Sequence, residues 1–185
     1  EMPVQYPTGI TAEHNAVRSA AGMFDVSHMG EFILRGPQAL DLIQRVTVND
    51  ASRMEVGQAQ YSAMCYPHGG VVDDLIVYRF ADHWMLIVNA SNLDKDLAWI
   101  RSNAGGLDVE VEDRSDAMAL IALQGPAARE ILRPLASINV DDVRYYHFLE
   151  GKVNGAPAII AGTGYTGEDG FELCVAPEDA VGVWR

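Results

Sequence analysis

Residues 60–89 read QYSAMCYPHGGVVDDLIVYRFADHWMLIVN. Three runs rich in β-branched and aromatic residues are divided by two sets of turn formers, Pro67-His68-Gly69-Gly70 and Ala81-Asp82. This pattern predicts an antiparallel three-strand meander with a four-residue hairpin connection between its first two strands. One detail resists the pattern. Asp73 and Asp74 stand side by side near the start of the middle strand, although aspartate is depleted in strands and seldom fully buried without a partner.

Successive strand residues point to opposite faces. Asp73 therefore shares a face with Leu75, Val77 and Arg79, and Asp74 shares one with Val72, Ile76, Tyr78 and Phe80. Asp73 is expected nearer a polar rim, meeting Arg79. Asp74 is expected on the apolar, tyrosine-bearing face. Periodicity leaves two readings of Asp74 level. In one, a desolvated carboxyl serves as a hydrogen-bond partner or proton relay. In the other, both acids are solvated at a strand end beside Gly69-Gly70.

Outward from the meander, the chain alternates short helices with strands. TAEHNAVRSAA reads as a helix capped by Thr11, and SNLDKDLAWIRSNA as one capped by Ser91 with Leu93, Leu97 and Ile100 on one face. LRGPQALDLI and LQGPAAREIL share one shape, a strand passing through Gly-Pro into a short helix. KVNGAPAII carries the strong hairpin signal Asn154-Gly155. The predicted class is α+β, mostly antiparallel sheet with packed helices.

Composition narrows the function. The 185 residues carry 13 Lys and Arg against 26 Asp and Glu, a net charge of −13. That argues against a nucleic-acid backbone or an anionic membrane surface as partner. An anionic small ligand stays compatible, because a few local cations or amides suffice to hold it. Two distant cysteines, Cys65 and Cys174, form no CxxC and fit a reducing compartment. The five histidines show no H-x-x-x-H spacing, so no metal is expected. The opening EMPVQYP and the closing PEDAVGVWR both read as cut ends, and a piece of a longer protein is expected.

Two motifs compete with the acid pair as site candidates. GTGYTG, residues 162–167, formally matches the dinucleotide fingerprint, but its continuation EDGFELCV reads as a strand where that motif needs a helix. It is either a plain glycine-rich loop or one whose glycines admit a ligand, faced by Tyr165 and Glu172. DVSHMG, with Asp25, Ser27 and His28, lacks a nucleophile elbow and is read as structural.

AVRSAAGMFDVSHMGEF, QYSAMCYPHGGVVDDLIVY, VNASNLDKDLAWI, ALIALQGPAA and GTGYTGEDGFEL, in this order, resemble the aminomethyltransferase (T-protein) family of the glycine cleavage system. The resemblance runs over nearly the whole chain. It implies the folate-binding lobes of a three-lobed ring, here two interleaved lobes: residues 1–30 with 115–185, and 31–114. The N-terminal lead, the C-terminal barrel and an arginine in an ARD-x-x-R-like block are implied to lie outside this sequence. The implied activity belongs to glycine catabolism and one-carbon metabolism. An aminomethyl group on the lipoyl arm of the H-protein gives its methylene to tetrahydrofolate, with release of ammonia. Tetrahydrofolate is the implied co-substrate and the lipoylated H-protein the implied partner, in the cytoplasm or, in a eukaryote, the mitochondrial matrix.

Residue by residue, the resemblance makes Asp74 the key acid and Glu172 the carboxylate for the pterin edge. Tyr61, Tyr78 and Tyr165 match the aromatic lining, and Met29 and Asn89 complete the set. The chemistry suits a pterin, which is flat and apolar on its faces with donors along one edge. The alternatives are a folate domain of a dimethylglycine- or sarcosine-type oxidising enzyme or related demethylase, and a non-catalytic folate-binding protein.

Overall fold

The computed structural model describes residues 7–185; the first six residues of the opening EMPVQYP lie outside them. In chain order the elements are α1 (Ile10–Ser19), β1 (Gly22–Asp25), β2 (Gly30–Arg35), α2 (Ala39–Val46), β3 (Gln58–Cys65), β4 (Val71–Arg79) and β5 (Trp84–Val88). Then follow α3 (Leu93–Asn103), β6 (Glu110–Asp113), β7 (Ala119–Gln124), α4 (Ala128–Leu132), β8 (Phe148–Val153), β9 (Ala156–Ala161), β10 (Gly170–Val175) and α5 (Pro177–Trp184). Two antiparallel sheets with helices make the chain α+β, as expected.

The chain divides into two compact units. One comprises the described residues through Val26 together with Leu120–Arg185; the other is Ser27–Ala119. The second unit is built on the meander read from residues 60–89. Its sheet runs β3-β4-β5-β2-β6. Ala59 pairs with Tyr78 across β3 and β4, Tyr78 with Met85 across β4 and β5, and a register shift between Met64 and Cys65 disturbs the hairpin end. Alternation sends Phe32, Leu34, Leu75, Val77, Leu86 and Val88 to one side. There they pack with Leu42, Ile43 and Val46 of α2 and Ile100 of α3 in a single buried cluster. Each such side chain contributes about 1.5–3 kcal/mol on leaving water.

The other unit carries the sheet β1-β7-β10-β9-β8, cored by Leu120, Ile160, Phe171 and Leu173 with Leu132 of α4. Asn154 and Gly155 turn at φ 50° and 87° between β8 and β9, the hairpin that this dipeptide predicts.

The repeated Gly-Pro step is structural in both units. Gly36 leaves β2 at φ 119° and Gly125 leaves β7 at φ 128°. A Cβ on Gly36 would stand 2.6 Å from the Asp108 carbonyl oxygen, and one on Gly125 2.5 Å from that of Ala20. Both the angle and the close backbone approach call for glycine.

The expected helix caps differ from those found. Neither Thr11 nor Ser91 caps a helix: α1 starts after Gly9 and α3 after Asn92, neither with a side-chain cap. Asn92 has the right chemistry for a cap, but its amide is engaged elsewhere.

Candidate functional site

The two adjacent acids of β4 separate by face as alternation requires, and they meet very different surroundings. Asp73 points to the side that carries Leu75 and Val77 and is 9% exposed. Asp74 is half-buried on the side of Ile76 and Tyr78. The expectation that Asp73 sits nearer the rim is therefore corrected: it is the more buried of the two. Nor does it meet Arg79. Six strand residues span roughly 20 Å, and Arg79 instead donates to the Met54 carbonyl and lies 5.3 Å from the Trp84 ring centre.

Asp73 is a hub of donors. Its Oδ1 accepts from Asn89 Nδ2 at 3.1 Å and from the Asp74 backbone N–H at 3.0 Å, and its Oδ2 accepts from Asn92 Nδ2 at 2.9 Å. Asp96 on α3 also acts on the Asp73 carboxyl, although both its own oxygens are buried with no hydrogen-bond partner among the described residues. Burial acts to raise Asp73, yet Asp96 and the bonds from Asn92, Asn89 and the Asp74 N–H outweigh it and hold the carboxyl below its ordinary range. Asp96 is fully buried. Burial pushes it up to about 7, aided by Asp73 and the charge there, against the opposing Lys95.

Asp74 is gripped from both sides. Asn89 Nδ2 donates to Oδ1 at 2.7 Å and the Tyr61 hydroxyl donates to Oδ2 at 2.7 Å. Tyr61 lies opposite Ile76, one diagonal step from Asp74, within reach of a long aromatic side chain. Each Asp74 oxygen thus keeps one acceptor position for an outside donor. The carboxylate is oriented, partly open and backed by fixed amides.

The structure brings together Asp74, Tyr61 and Asn89 from the candidate set. Tyr78 lies on the same side but is 1% exposed, and Met29 sits half-buried in the bend leading into β2. Tyr165 and Glu172 belong to the other unit. Tyr165 is fully exposed in the loop before β10. Glu172 accepts a short hydrogen bond from the Thr163 hydroxyl, and burial raises its carboxyl while that bond works against the rise. The loop is pinned from within by Gln124, whose amide donates to the Thr163 and Phe171 carbonyls at 3.2 and 3.3 Å and accepts from Thr166 at 2.8 Å. A Cβ on Gly164 would stand 2.5 Å from that amide, so packing alone already explains this glycine. A cavity of about 480 Å³ under the loop is lined by Arg129, Asp141, Arg144, Tyr145 and Asp169 among others. Arg129 there is already paired with Asp169 at 3.0 Å.

Asn92 and Asp96 are not singled out by the sequence reading, and Asp73 enters it only as the rim-side acid expected to meet Arg79. A signal for Asp96 existed. It lies three residues after Leu93 and four before Ile100, on the apolar stripe of the helix. Among the described residues no group of three or more His, Cys, Asp or Glu is placed to hold a metal. No described helix is long and apolar enough to cross a membrane.

Comparison with known proteins adds the relatives. The family described as GCVT N-terminal domain matches residues 1–185. A curated aminomethyltransferase of Desulfitobacterium hafniense is 52% identical over 186 residues, covering 100% of this chain and 51% of the relative. One of Moorella thermoacetica is 54% identical over 185 residues, covering 100% and 50%. The chain thus spans about half the length of the curated relatives it matches. Among solved structures, the glycine cleavage system aminomethyltransferase T of Bartonella henselae superposes with a TM-score of 0.90 at 33% identity, covering 99% of this chain and 49% of that one. A chain of the heterotetrameric sarcosine oxidase of Corynebacterium sp. U-96 gives 0.62 at 18% identity, covering 92% and 85%, a likeness of fold alone.

Proposed function

This chain belongs to the GCVT N-terminal domain family, and from that premise we propose that it is the folate-handling part of an aminomethyltransferase of the glycine cleavage system. The proposed reaction moves a methylene from the aminomethyl-lipoyl arm of H-protein to tetrahydrofolate and releases ammonia. The curated names of its relatives support the activity. One observation carries the residue assignment. Asp74 is a half-buried carboxylate fixed by Tyr61 and Asn89, with one acceptor position open on each oxygen.

A donor nitrogen of a reduced pterin suits those open positions. Asp74 then orients the nitrogen toward the electrophilic methylene and takes up or balances its proton as the new C–N bond forms. Tyr61 and Asn89 restrict the carboxylate to one orientation, and their donor groups stabilise its charge. Met29, Tyr78 and Tyr165 are proposed for the apolar faces of the ligand. Glu172 is proposed separately, as a carboxylate for the pterin's donor edge; its burial and its single hydroxyl partner support this. A cytoplasmic location goes with the same proposal.

Asp74→Asn is the test, made in the intact gene product with lipoylated H-protein and tetrahydrofolate. The variant keeps the size of the side chain and loses the base. It is expected to bind reduced folate and to lose turnover by roughly 10²–10⁴-fold. Turnover within a few fold of the native protein overturns the assignment. Failure of the native protein to bind reduced folate overturns the function.

A further inference from the structure

We propose that Asp96 is a positioning residue for Asp74: it stands inside its unit as the neutral acid, donates its O–H to Asp73, and so locks the cradle that aims Asp74. The ligand half of this statement rests on the proposed function; the hydrogen-bond half is local to the residues named.

Donor counting supports it. A carboxylate offers about four acceptor positions. Asp73 fills three with Asn89, Asn92 and the Asp74 N–H. Two carboxyl groups share a hydrogen bond only if one of them carries a proton. Asp73 has three donors to stabilise its charge. Asp96 is 0% exposed, and neither of its oxygens receives a hydrogen bond among the described residues. Lys95 stands 3.4 Å from Asp96 Oδ1, but its ammonium donates to the Val72 carbonyl. The proton therefore belongs on Asp96.

The geometry of α3 makes the arrangement compact. Asn92 and Asp96 are four residues apart, on one face across the first turn. Both turn that face to Asp73 on β4. Asn89 then links Asp73 to Asp74, donating to Oδ1 of each. The chain of contacts runs from Asp96 through Asp73 and Asn89 to Asp74; the links through Asn89 are hydrogen bonds, and the link from Asp96 is the one proposed. The charged groups that act on Asp96 are Asp73 from β4 and Lys95 beside it on α3. When Asp96 loses its proton, two buried carboxylates face one another, the shared bond vanishes and the cradle loosens.

The experiment compares the intact gene product, called the native chain below, with its Asp96→Asn and Asp96→Ala variants. Asparagine supplies a permanent donor of the same size; alanine supplies none. With ¹³C-carboxyl aspartate, one native resonance is expected to titrate near pH 7 and to be missing from Asp96→Asn. The Asn89 and Asn92 side-chain amide signals should shift with the same midpoint in the native chain and hold still in Asp96→Asn. Affinity for reduced folate should fall roughly threefold to tenfold as pH rises from 6 to 8.5 in the native chain, the loss of about one hydrogen bond. It should stay flat in Asp96→Asn and be low throughout in Asp96→Ala. A native chain whose aspartates all titrate in the ordinary carboxylate range overturns the inference. So does an Asp96→Asn protein that binds like Asp96→Ala. If the native chain binds no reduced folate even at pH 6, the proposed function fails, and the carboxyl and amide signals still decide the role of Asp96.

Discussion

Two carboxyl-bearing regions of the same sheet handle charge in opposite ways. At the β4 end, Asn89 donates to both Asp73 and Asp74, Asn92 donates to Asp73 and Tyr61 to Asp74, and at Asp73 these donors outweigh burial and hold the carboxyl below its ordinary range. On β2, Glu31 is 0% exposed and neither carboxyl oxygen has a hydrogen-bond partner among the described residues. Its backbone is satisfied by Ser115 and Arg114, and its side chain is not. Burial pushes Glu31 up to about 8, with Asp113 adding to the rise. The register links the two regions across the strands: Glu31 opposes Ile87, Ile87 opposes Ile76, and Ile76 opposes Tyr61. One sheet thus keeps an acid charged by surrounding it with donors and keeps another neutral by withholding them. A strand position does not decide the charge of an aspartate or glutamate; burial and the donors around it do.

The sharpest way to break this contrast is Asp73→Ala. It leaves Asn89, Asn92, the Asp74 N–H and Asp96 without their common acceptor. Removing one member of a buried charged network costs roughly 3–5 kcal/mol, so urea denaturation at pH 7 should show a loss of that size. A loss below about 1 kcal/mol would mean that the hub holds nothing together.

Glu31→Gln should act with the opposite sign and a smaller size. Unfolded, Glu31 gives up its proton near 4.5; folded, near 8. The folded chain binds the extra proton between those values, so stability falls as pH rises from about 4.5 to about 8 and then levels off. Glutamine escapes that loss. The variant is expected to be about 1 kcal/mol less stable than the native chain at pH 4, where the buried amide is the only change, and roughly 2–3 kcal/mol more stable at pH 8.5. Thermal melts at both pH values check it, and a variant less stable at pH 8.5 would dissolve the contrast. Asp96→Asn should remove a parallel fall that ends near pH 7, leaving the Glu31 slope in place.

Tyr61→Phe tests the cluster most gently. It deletes one donor to Asp74 on a side chain that is 54% exposed. About 1 kcal/mol, or roughly fivefold in affinity for reduced folate, is the expected loss, with stability nearly unchanged.

Much of this was readable from local pattern. The meander, the Asn154-Gly155 hairpin and the paired Gly-Pro junctions depend on neighbours a few residues apart, and those the sequence displays directly. The face assignments of Asp73 and Asp74 followed from a period of two. What was misread needed a third dimension. Arg79 looked like a partner for Asp73 because it shares the face, but strand geometry separates them by roughly 20 Å. The partners come from Asn89, just past β5, from Asn92, the residue before α3, and from Asp96 on α3, brought there only when the helix packs on the β4 side of Leu75 and Val77. Ser91 looked like the cap of α3 because capping is local. The chain instead starts the helix at Leu93, and the Asn92 side-chain nitrogen donates to Asp73.

The pairing of β1 with β7, Gly22 opposite Gln124, has a consequence for birth on the ribosome. The first strand of one unit leaves the exit tunnel and then waits for a partner that lies beyond the whole of Ser27–Ala119. At about 5–20 residues per second, that wait is on the order of 5–20 s, long compared with the formation of hairpins such as β3–β4. The inserted unit therefore has time to fold while its host is still an open chain. The Val26 N–H that meets the Leu120 carbonyl at 2.9 Å belongs to the same late closure as β1 on β7.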